Sequence, residues 1–502
     1  MQGLYFPLWF EIPVASFVAL IAYFCYALRI PAHFRVFPAV PISKIFKWAY
    51  YDMGPYEQFK DMREFFIEHP TFVMWNGGRW KLMTTDLDYC KDIFMRTNQT
   101  IEKAMPNPEY PESLFRKFIG TSLAFSNSEV WRRIRRIVGP AFNYIWPTRV
   151  IGDTAIRMFR AIERDQAANK MLTMDIYLGR LTMDVLGRTA YGFDFNSLTN
   201  PESKYAVLLS TVVKKLTNPF YILFPFLDGI PGLRRPKLNE QIDELDRMLF
   251  GVIDMKRKEL AEKPIEDRAN TDMLSLMLEA CQDPSAPRIT NKELRDNVVV
   301  FYLAGQETTA GALGFWMYEM SKNTDCQEQA RQEVLRIMGD APEDIIPTDE
   351  QLKEFKYLVA SIDEAMRFHP PLPAIVARET TVEQKICGVS IPAGERVGTN
   401  VVAMHHHPKH FKDPDTFRPE RFLDMQEPKD GRMSPYLPFG SGPRQCIGKN
   451  FAMLEARVVT SMMLRKYKWS LKMRPDGKEP VRSPPFDLYR FENLDLNLET
   501  RY

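Results

Sequence analysis

The sequence predicts a mainly α-helical protein with smaller β-sheets, an α+β fold, and three observations support this prediction. Residues 150–330 repeat apolar side chains mostly with the period of a helix. Within them, residues 290–322 contain no proline and open on a sequence typical of a helix start. Segments 71–85 and 375–402 are instead strand-like, and the first contains a favourable hairpin turn at Asn76-Gly77-Gly78.

Residues 290–322 predict one unusually long helix. Thr290-Asn291-Lys292-Glu293 is a capping box, in which two side chains satisfy the first exposed amides of a helix. At a rise of 1.5 Å per residue, about 33 residues extend on the order of 50 Å. A helix of that length would cross the entire domain.

Composition excludes several classes of protein. The chain has 502 residues, of which 45% are hydrophobic and 12% aromatic, so a large core can form and global disorder is excluded. Its 66 basic and 64 acidic residues give a net charge of +2, which argues against nucleic-acid binding. The six cysteines lie far apart without paired spacing, so neither a disulfide framework nor a zinc site is predicted.

The N-terminal region predicts a membrane anchor. Ile12–Leu28 contains no charged side chain, and about 17 residues is the lower end of the length that spans a bilayer. Basic residues follow this stretch and none precedes it, so the bulk of the chain is expected in the cytosol. We expect an anchor over residues 1–30, a proline-containing linker over 31–50 and one large domain over 51–502. A cleaved signal peptide and a buried core helix are the alternatives.

The strongest chemical signal is the segment Phe439-Gly440-Ser441-Gly442-Pro443-Arg444-Gln445-Cys446-Ile447-Gly448, called the cysteine loop below. A metal-bound thiolate needs an ionised sulfur, which amide N–H groups and positive charge stabilise. The three glycines let the backbone curl around Cys446, and Phe439 can shield the sulfur from water. Arg444 can contact an anionic group of a cofactor with both arms of its guanidinium. A helix predicted to begin near Gly448 would direct its positive end towards the sulfur.

The cysteine loop resembles the haem-ligand loop of the cytochrome P-450 superfamily, the haem-thiolate monooxygenases. Further motifs follow the family's order over nearly the whole chain. The resemblance is to the microsomal, eukaryotic type, and a fungal source is one interpretation. It implies the cytochrome P-450 fold, with the long helix crossing a single haem-thiolate catalytic domain. It also implies haem b (iron protoporphyrin IX) as cofactor and Cys446 as the axial ligand of the iron.

The first further motif, Ala304-Gly305-Gln306-Glu307-Thr308-Thr309, lies in the long predicted helix. Gly305 is expected to open the helix locally, since glycine there costs about 1 kcal/mol relative to alanine. A neighbouring hydroxyl can then bond a carbonyl or a guest in the gap. Splitting dioxygen takes two protons, and thiolate ligation favours the cleavage. The resemblance implies that Thr308 holds the oxygen and that Glu307 supplies the protons.

Two other motifs have a structural role in the family. Glu364-Ala365-Met366-Arg367 places a carboxylate and a guanidinium three residues apart on one helix face. By itself this pair is a weak signal, because such pairs usually mark a solvated face. The resemblance implies a lock between Glu364, Arg367 and Arg421, the last of which lies in Pro419-Glu420-Arg421-Phe422.

The remaining motif concerns the carboxylates of the cofactor. Trp131 and Arg135 lie four residues apart and share one face of a helix, which is expected to be capped by Ser126 and Glu129. Both resemble haem-propionate contacts of the family, together with the arginine of the cysteine loop. Arg378 occupies the family's further arginine position.

The resemblance also implies partners. Members of this kind receive electrons from an acidic, NADPH-dependent flavoprotein reductase, and cytochrome b5 is a further candidate. A positive docking face is predicted from Arg132, Arg133, Arg136 and Lys449, with an ordinary solvated face as the alternative. The apolar segment 220–233 is expected to dip into the membrane rather than to pack in the core. Together these features predict a single-pass protein of the endoplasmic reticulum membrane with a cytosolic catalytic domain.

The predicted function is a monooxygenase that inserts one oxygen atom from O2 into a lipophilic small molecule. Apolar candidates for the pocket wall are Phe301, Leu303, Ala304, residues 372–376, Phe486 and Leu488, which suggests a steroid, fatty acid, terpene or aromatic substrate. A haem-thiolate isomerase or lyase acting on a peroxide, or a non-enzymatic haem sensor or electron carrier, would not need the Glu307–Thr308 pair. Metal binding by the histidines of 405–410 is not expected, because adjacent side chains in an extended segment point to opposite faces.

Overall fold

In the computed structural model, one helix begins at Asn291 and ends at Lys322 and is called the central helix below. The predicted capping box is present. The Thr290 hydroxyl accepts the amide of Glu293 at 3.1 Å, and the Glu293 carboxylate accepts the amide of Thr290 at 2.9 Å. Most of its residues from Leu294 onward are buried, so the predicted long helix inside the protein is confirmed.

The structure describes residues 28–51, 53–76, 78–97, 99–104, 110–142, 146–218, 221, 224–262, 271–282, 288–375, 377–425, 432–473, 481–482 and 489–502. Besides the central helix, the described α-helices are Ile42–Tyr50, Pro55–Asp61, Arg63–Glu68, Leu87–Met95, Leu114–Ile119, Ser128–Phe142, Thr148–Ala167, Met174–Ala190, Lys204–Leu216, Pro236–Glu262, Met273–Ala280, Thr324–Met338, Asp349–Glu354, Tyr357–Phe368, Val401–His405 and Lys449–Lys466. Short 3-10 helices are Ala32–Phe34, Pro225–Gly229, Pro419–Phe422 and Gly442–Arg444. The strands are β1 (Thr71–Asn76), β2 (Arg79–Thr84), β3 (Ile101–Lys103), β4 (Arg378–Thr380), β5 (Gln384–Ile386), β6 (Val389–Ile391), β7 (Arg396–Thr399), β8 (Tyr467–Leu471), β9 (Val481–Arg482), β10 (Arg490–Phe491) and β11 (Leu496–Thr500).

The largest sheet has the strand order β1-β2-β7-β4-β3. β1 and β2 form the predicted antiparallel hairpin, with Trp75 opposite Trp80. Residues 375–402 contribute β4 to β7, so both strand-like segments are confirmed. β2 and β7 are parallel, whereas β4 is antiparallel to both β7 and β3. Strand pairing in this sheet therefore brings β3, near residue 100, next to β4, near residue 380.

The helical core forms around the central helix, which packs against Met174–Ala190, Tyr357–Phe368 and Lys449–Lys466. Trp316 lies almost fully buried in this core, and its indole N–H donates to the hydroxyl of Ser361 at 2.9 Å. A buried indole needs such a partner, because an unsatisfied donor costs free energy on folding. This contact fixes the central helix against the helix Tyr357–Phe368.

The helix that carries Trp131 begins at Ser128 and ends at Phe142. The expected cap by Ser126 is wrong. The Ser126 hydroxyl donates to the carbonyl of Ser122 at 2.6 Å, and the amide of Trp131 bonds instead to the carbonyl of Asn127 at 3.1 Å. The side chain of Ser126 therefore does not cap this helix. Residues at the start of the helix contribute instead to the candidate active site described below.

The expected membrane anchor lies almost entirely outside the described residues, which begin at residue 28. Within the part of the chain that the structure describes, no helix is both long and apolar enough to cross a membrane. In the apolar segment 220–233, the described residues include the short helix Pro225–Gly229. Its Leu227 is buried, whereas Phe226, Ile230 and Leu233 are exposed, so the segment both packs inward and presents apolar side chains outward.

Candidate active site

The cysteine loop folds tightly around Cys446. The amide of Cys446 donates to the carbonyl of Phe439 at 2.9 Å, which closes the loop. Gly440 and Gly442 have φ angles of +67° and +71°, in the left-handed region that side chains rarely adopt. A Cβ at Gly442 would also approach the carbonyl oxygen of Phe94 to 3.1 Å. Glycine is therefore required at both positions for the chain to turn here.

The sulfur of Cys446 lies deep in the protein but is exposed to a large internal cavity. The amide of Gly448 donates to the sulfur, and the predicted helix begins at Lys449, directly after it. Burial raises the pKa of the Cys446 thiol, whereas the Gly448 amide and the charges of Lys103 and Arg135 lower it. Burial has the larger effect, so the surroundings alone favour the neutral thiol. A metal ion facing the sulfur would favour the thiolate, because a coordinating thiol is deprotonated.

The central helix forms another part of the cavity lining, with Phe301, Ala304, Gly305 and Thr308 among its lining residues. The helix continues unbroken through Gly305, contrary to the expectation of a local opening. A Cβ at Gly305 would instead come within 3.0 Å of Leu186, so this glycine serves close helix packing. The Thr308 hydroxyl donates to the Ala304 carbonyl at 2.6 Å. The same hydroxyl can turn towards the cavity by rotating its side chain.

Glu307 does not line the cavity with Thr308. Its carboxylate forms an ion pair with the guanidinium of Arg490, on β10. Neighbouring residues on an α-helix point about 100° apart, so the two side chains leave the central helix in different directions. The structure thus brings Thr308 to the cavity of Cys446 and leaves Glu307 outside it.

One edge of the cavity is strongly positive. Lys103, Arg378 and Arg444 all line it, and no carboxylate is found among its described lining residues. Burial is the main cause that lowers the pKa of Lys103 to about 7, of Arg444 to about 9 and of Arg378 to about 10. Three cations that lie close together, in a cavity with an apolar interior, are suited to bind an anionic group of a ligand. The two carboxylates of haem b meet that requirement, so the residues present fit the cofactor.

Trp131 and Arg135 lie beside this positive edge but are not among the described lining residues. Trp131 stacks against Arg444, whose guanidinium carbon lies 4.1 Å from the centre of the indole ring. Burial lowers the pKa of Arg135, and the nearby Cys446 opposes this effect. The structure therefore places Trp131 against a predicted carboxylate contact, with Arg135 close to the sulfur.

Two residues at this edge were missed by the sequence analysis. Lys103 reaches the cavity from β3, and Asn127 holds it there. The Asn127 side chain accepts the amide of Lys103 at 3.1 Å and donates to its carbonyl at 2.9 Å, and it also accepts from Arg444 at 3.2 Å. Neither residue belongs to a recognisable motif, because their positions depend on pairing between distant segments.

Glu364, Arg367 and Arg421 form one buried network. Arg367 donates to both oxygens of Glu364 at 2.7 and 2.9 Å, and Arg421 donates to the same carboxylate at 2.9 Å. Arg367 also donates to the carbonyl of His405 at 2.8 Å. The His405 ring accepts the amide of Leu437 at 2.9 Å, two residues before the cysteine loop. The network therefore connects the helix Tyr357–Phe368 to the start of that loop.

The histidine segment is not extended, because Val401–His405 is a short helix. The rings of His405 and His406 are buried and bond to main-chain carbonyls of Arg367 and Phe368. Within the described residues, no group of three or more His, Cys, Asp or Glu side chains could hold a metal ion.

The predicted positive docking face is smaller than expected. Arg133 is paired with Glu293 of the capping box, and Arg132 is paired with Glu129. Arg136 and Lys449 are both exposed. The charge of the predicted face therefore comes chiefly from these two positions.

The candidate wall residues divide into three groups. Phe301, Ala304, Leu372 and Ile375 line the cavity, whereas Leu303, Pro373 and Ala374 do not. Val376, Phe486 and Leu488 lie outside the described residues.

A cysteine loop and a long helix that line one cavity are the arrangement expected of a haem-thiolate protein. Comparison with known families agrees with this class. A family model described as cytochrome P450 matches residues 35–488. The chain belongs to the cytochrome P450 family, and it is a haem-binding oxidoreductase of the monooxygenase type.

The similarity extends over most of the chain. Cytochrome P450 4F2 from Homo sapiens is 27% identical over 488 residues, which cover 93% of this chain and 90% of that protein. Cytochrome P450 3A5 from Homo sapiens is 28% identical over 362 residues, 70% of each chain. Protein LUTEIN DEFICIENT 5, chloroplastic, from Arabidopsis thaliana is 27% identical over 400 residues, and the match covers 76% of this chain and only 65% of that protein. The crystal structure of cytochrome P450DA heme domain superposes with a TM-score of 0.75 at 23% identity, over 93% of this chain and 97% of that one, which shows the shared fold.

Proposed function

We propose that this chain is a membrane-anchored monooxygenase of the endoplasmic reticulum that inserts one oxygen atom from O2 into a C–H or C=C bond of a lipophilic substrate. Electrons come from NADPH through a flavoprotein reductase, with cytochrome b5 as a further candidate donor. Residues 1–30 anchor the chain, 31–50 link the anchor to the rest, and 51–502 form the cytosolic catalytic domain. One observation carries the proposal: Cys446 and Thr308 line one cavity that has a cationic edge.

Haem b with a thiolate ligand supplies the activation of dioxygen. Cys446 would bind the haem iron, and Phe439 and the Gly448 amide would protect its sulfur. Lys449 lies over the Phe439 ring at 5.9 Å. The carboxylates of the cofactor would be held by Arg378 and Arg444, with support from Trp131, Arg135 and Lys103.

Proton supply is assigned to the central helix. The Thr308 hydroxyl exchanges its bond to the Ala304 carbonyl for one directed into the cavity, where it donates a proton. Glu307 replaces that proton from solvent. Since Glu307 is paired with Arg490 here, this step requires its side chain to change direction.

The substrate is proposed to be lipophilic because the cavity is lined largely by apolar side chains, including Phe301, Ala304, Leu372 and Ile375. Access from a membrane is supported by the exposed Phe226, Ile230 and Leu233. Binding measurements with a panel of fatty acids, sterols, terpenes and aromatic compounds would narrow the chemical class of the substrate. A compound that binds in the cavity would be detected as a spin-state shift in the absorption spectrum of the haem-loaded protein.

The decisive experiment labels the oxygen. The full-length protein, reconstituted with reductase in membranes, receives NADPH, 18O2 and the panel compound with the largest spin-state shift. We expect a product that carries one 18O atom and depends on NADPH. A product without label, or formed without NADPH, contradicts the proposal.

A second candidate is a haem-thiolate isomerase or lyase that acts on a lipid peroxide. The observation that favours it is the position of Glu307 outside the cavity, since such an enzyme needs no proton relay. Conversion of a fatty-acid hydroperoxide without NADPH and O2, at a rate above any NADPH-dependent reaction, selects this function instead.

A further inference from the structure

The segment that carries Arg490 is fixed against the central helix. The amide of Tyr489 donates to the carbonyl of Pro371 at 2.8 Å. A Cβ at Gly311 of the central helix would meet the carbonyl oxygen of Tyr489 at 3.1 Å, so the two backbones are in close contact. Phe491 packs its ring 4.7 Å from that of Phe315, also on the central helix. Arg490 is thus placed by its neighbours on both sides and not by its own charge alone.

At this position Arg490 meets Glu307. The Glu307 side chain is only 12% exposed and that of Arg490 is 36% exposed, so water screens the ion pair incompletely. Burial lowers the pKa of Arg490, and the nearby carboxylates of Glu492 and Asp175 oppose this effect. A partly buried carboxylate without a cation would take up a proton to avoid the cost of desolvation.

The structure shows one position of the Glu307 side chain, and proton transfer to Thr308 would require a second. In one its carboxylate is paired with Arg490, outside the cavity. In the other it would reach the neighbouring Thr308, whose hydroxyl now donates to the Ala304 carbonyl at 2.6 Å. Because the two residues leave the helix in different directions, a rotation of the Glu307 side chain connects the two positions.

We propose that Arg490 is a positioning residue, which holds Glu307 ionised outside the cavity and returns it there after each proton transfer. This inference rests on the proposed monooxygenase function. Glu307 takes a proton from solvent and becomes neutral, which releases it from Arg490. It then gives that proton to the Thr308 oxygen as Thr308 donates its own proton into the cavity. Glu307 leaves as a carboxylate and pairs with Arg490 again, so protons and charge balance in each cycle.

The first test needs no turnover. Infrared spectra of the haem-loaded protein at neutral pH are compared for the wild type, Arg490→Gln, Arg490→Lys, Glu307→Gln and the double variant Arg490→Gln/Glu307→Gln. We expect an additional carboxylic-acid C=O band in Arg490→Gln that is absent from the wild type, from Arg490→Lys and from the double variant. If Arg490→Gln shows no such band, or if the band persists in the double variant, the inference is wrong.

The second test measures proton delivery. With reductase, NADPH and the panel compound of largest spin-state shift, we expect Arg490→Gln to release about threefold or more extra peroxide per NADPH, within the range of a lost proton donor. Arg490→Lys should restore the wild-type ratio. The double variant should be no worse than Glu307→Gln, because Arg490 acts through Glu307. Additive losses in the double variant overturn the inference and indicate a merely structural role for Arg490.

Lys204→Gln is the control, since Lys204 also forms an ion pair but lies on the exposed surface with Glu244. It should leave both readouts unchanged. The carbon monoxide spectrum of each variant reports whether haem is bound correctly. If the wild type makes an NADPH-dependent product while Arg490→Gln behaves as the wild type does, only this inference fails. If no variant makes such a product, and the infrared band behaves as expected, only the proposed function fails.

Discussion

Lys103 and Arg378 lie directly opposite each other on the paired strands β3 and β4. Two like charges in such a pair destabilise a sheet. Both side chains line the cavity of Cys446, and burial lowers the pKa of each. We interpret the pair as one half of a site for the carboxylates of haem, which would compensate the repulsion.

Replacement of Lys103 tests this interpretation. We expect Lys103→Met to weaken haem binding by about 2 kcal/mol, roughly 30-fold, the typical contribution of a hydrogen bond to a charged group. Transfer of haem to apomyoglobin measures the affinity. Lys170→Met is the control, because Lys170 lies on the surface with Asp165. Equal haem retention in both variants would contradict the role of Lys103.

The lowered pKa of Lys103 predicts that the stability of the haem-free protein depends on pH. The folded pKa of Lys103 is about 7, below its value in the unfolded chain, which is about 10.4. Between these values the unfolded chain binds more protons, so stability should rise as pH increases from about 7 to about 10. Urea unfolding of the haem-free protein measures this slope. Lys103→Met should reduce it, and an unchanged slope would show that Lys103 is not its source.

The buried network of Glu364 should dominate stability. Glu364→Gln leaves Arg367 with a fully buried charge whose partner is neutral, and loss of one member of a buried ion pair typically costs about 3–5 kcal/mol. Glu129→Gln breaks an exposed pair with Arg132 and should cost at most about 0.5 kcal/mol. Denaturant unfolding compares the two variants. Similar losses in both would argue against a structural lock at Glu364.

The hydroxyl of Thr308 should couple electron use to product formation. We expect Thr308→Ala to keep the carbon monoxide spectrum but to lower product per NADPH at least about tenfold, with a matching release of peroxide. Thr308→Ser retains the hydroxyl and should recover most of the product. An undiminished yield in Thr308→Ala would remove Thr308 from the proton path.

Docking of the reductase should depend on Lys449 more than on Arg132. Lys449 is exposed beside the cysteine loop, whereas the charge of Arg132 is balanced by Glu129. We expect Lys449→Gln to slow association about threefold at low ionic strength and Arg132→Gln to change it little. Stopped-flow reduction at several salt concentrations measures both. Identical salt dependence in the two variants would place the docking face elsewhere.

The sequence predicts those parts of the site that depend on local contacts. Phe439, Arg444 and Cys446 lie within ten residues, and the turns between them require glycine. The motif can therefore be recognised from the sequence without knowledge of the fold. The capping box likewise predicts the start of the central helix. Both signals act over a few residues, where sequence order determines spatial proximity.

Other features depend on distant segments. Lys103 reaches the cavity only because β3 pairs with β4, nearly 280 positions along the chain. The carboxylate of Glu307 is paired with Arg490, 183 residues away. Gly305 packs against Leu186 rather than opening its helix. Such contacts follow from tertiary packing, which the motifs do not encode.

The most direct test of the account is the carbon monoxide spectrum of the reduced protein. If Cys446 is the axial ligand, the wild type should show the long-wavelength absorption of thiolate-ligated haem. Cys446→Ser should lose that absorption, whereas Cys281→Ser, which changes a cysteine away from the cavity, should keep it. A long-wavelength band that persists in Cys446→Ser would contradict the assignment of Cys446 as the ligand of the haem iron.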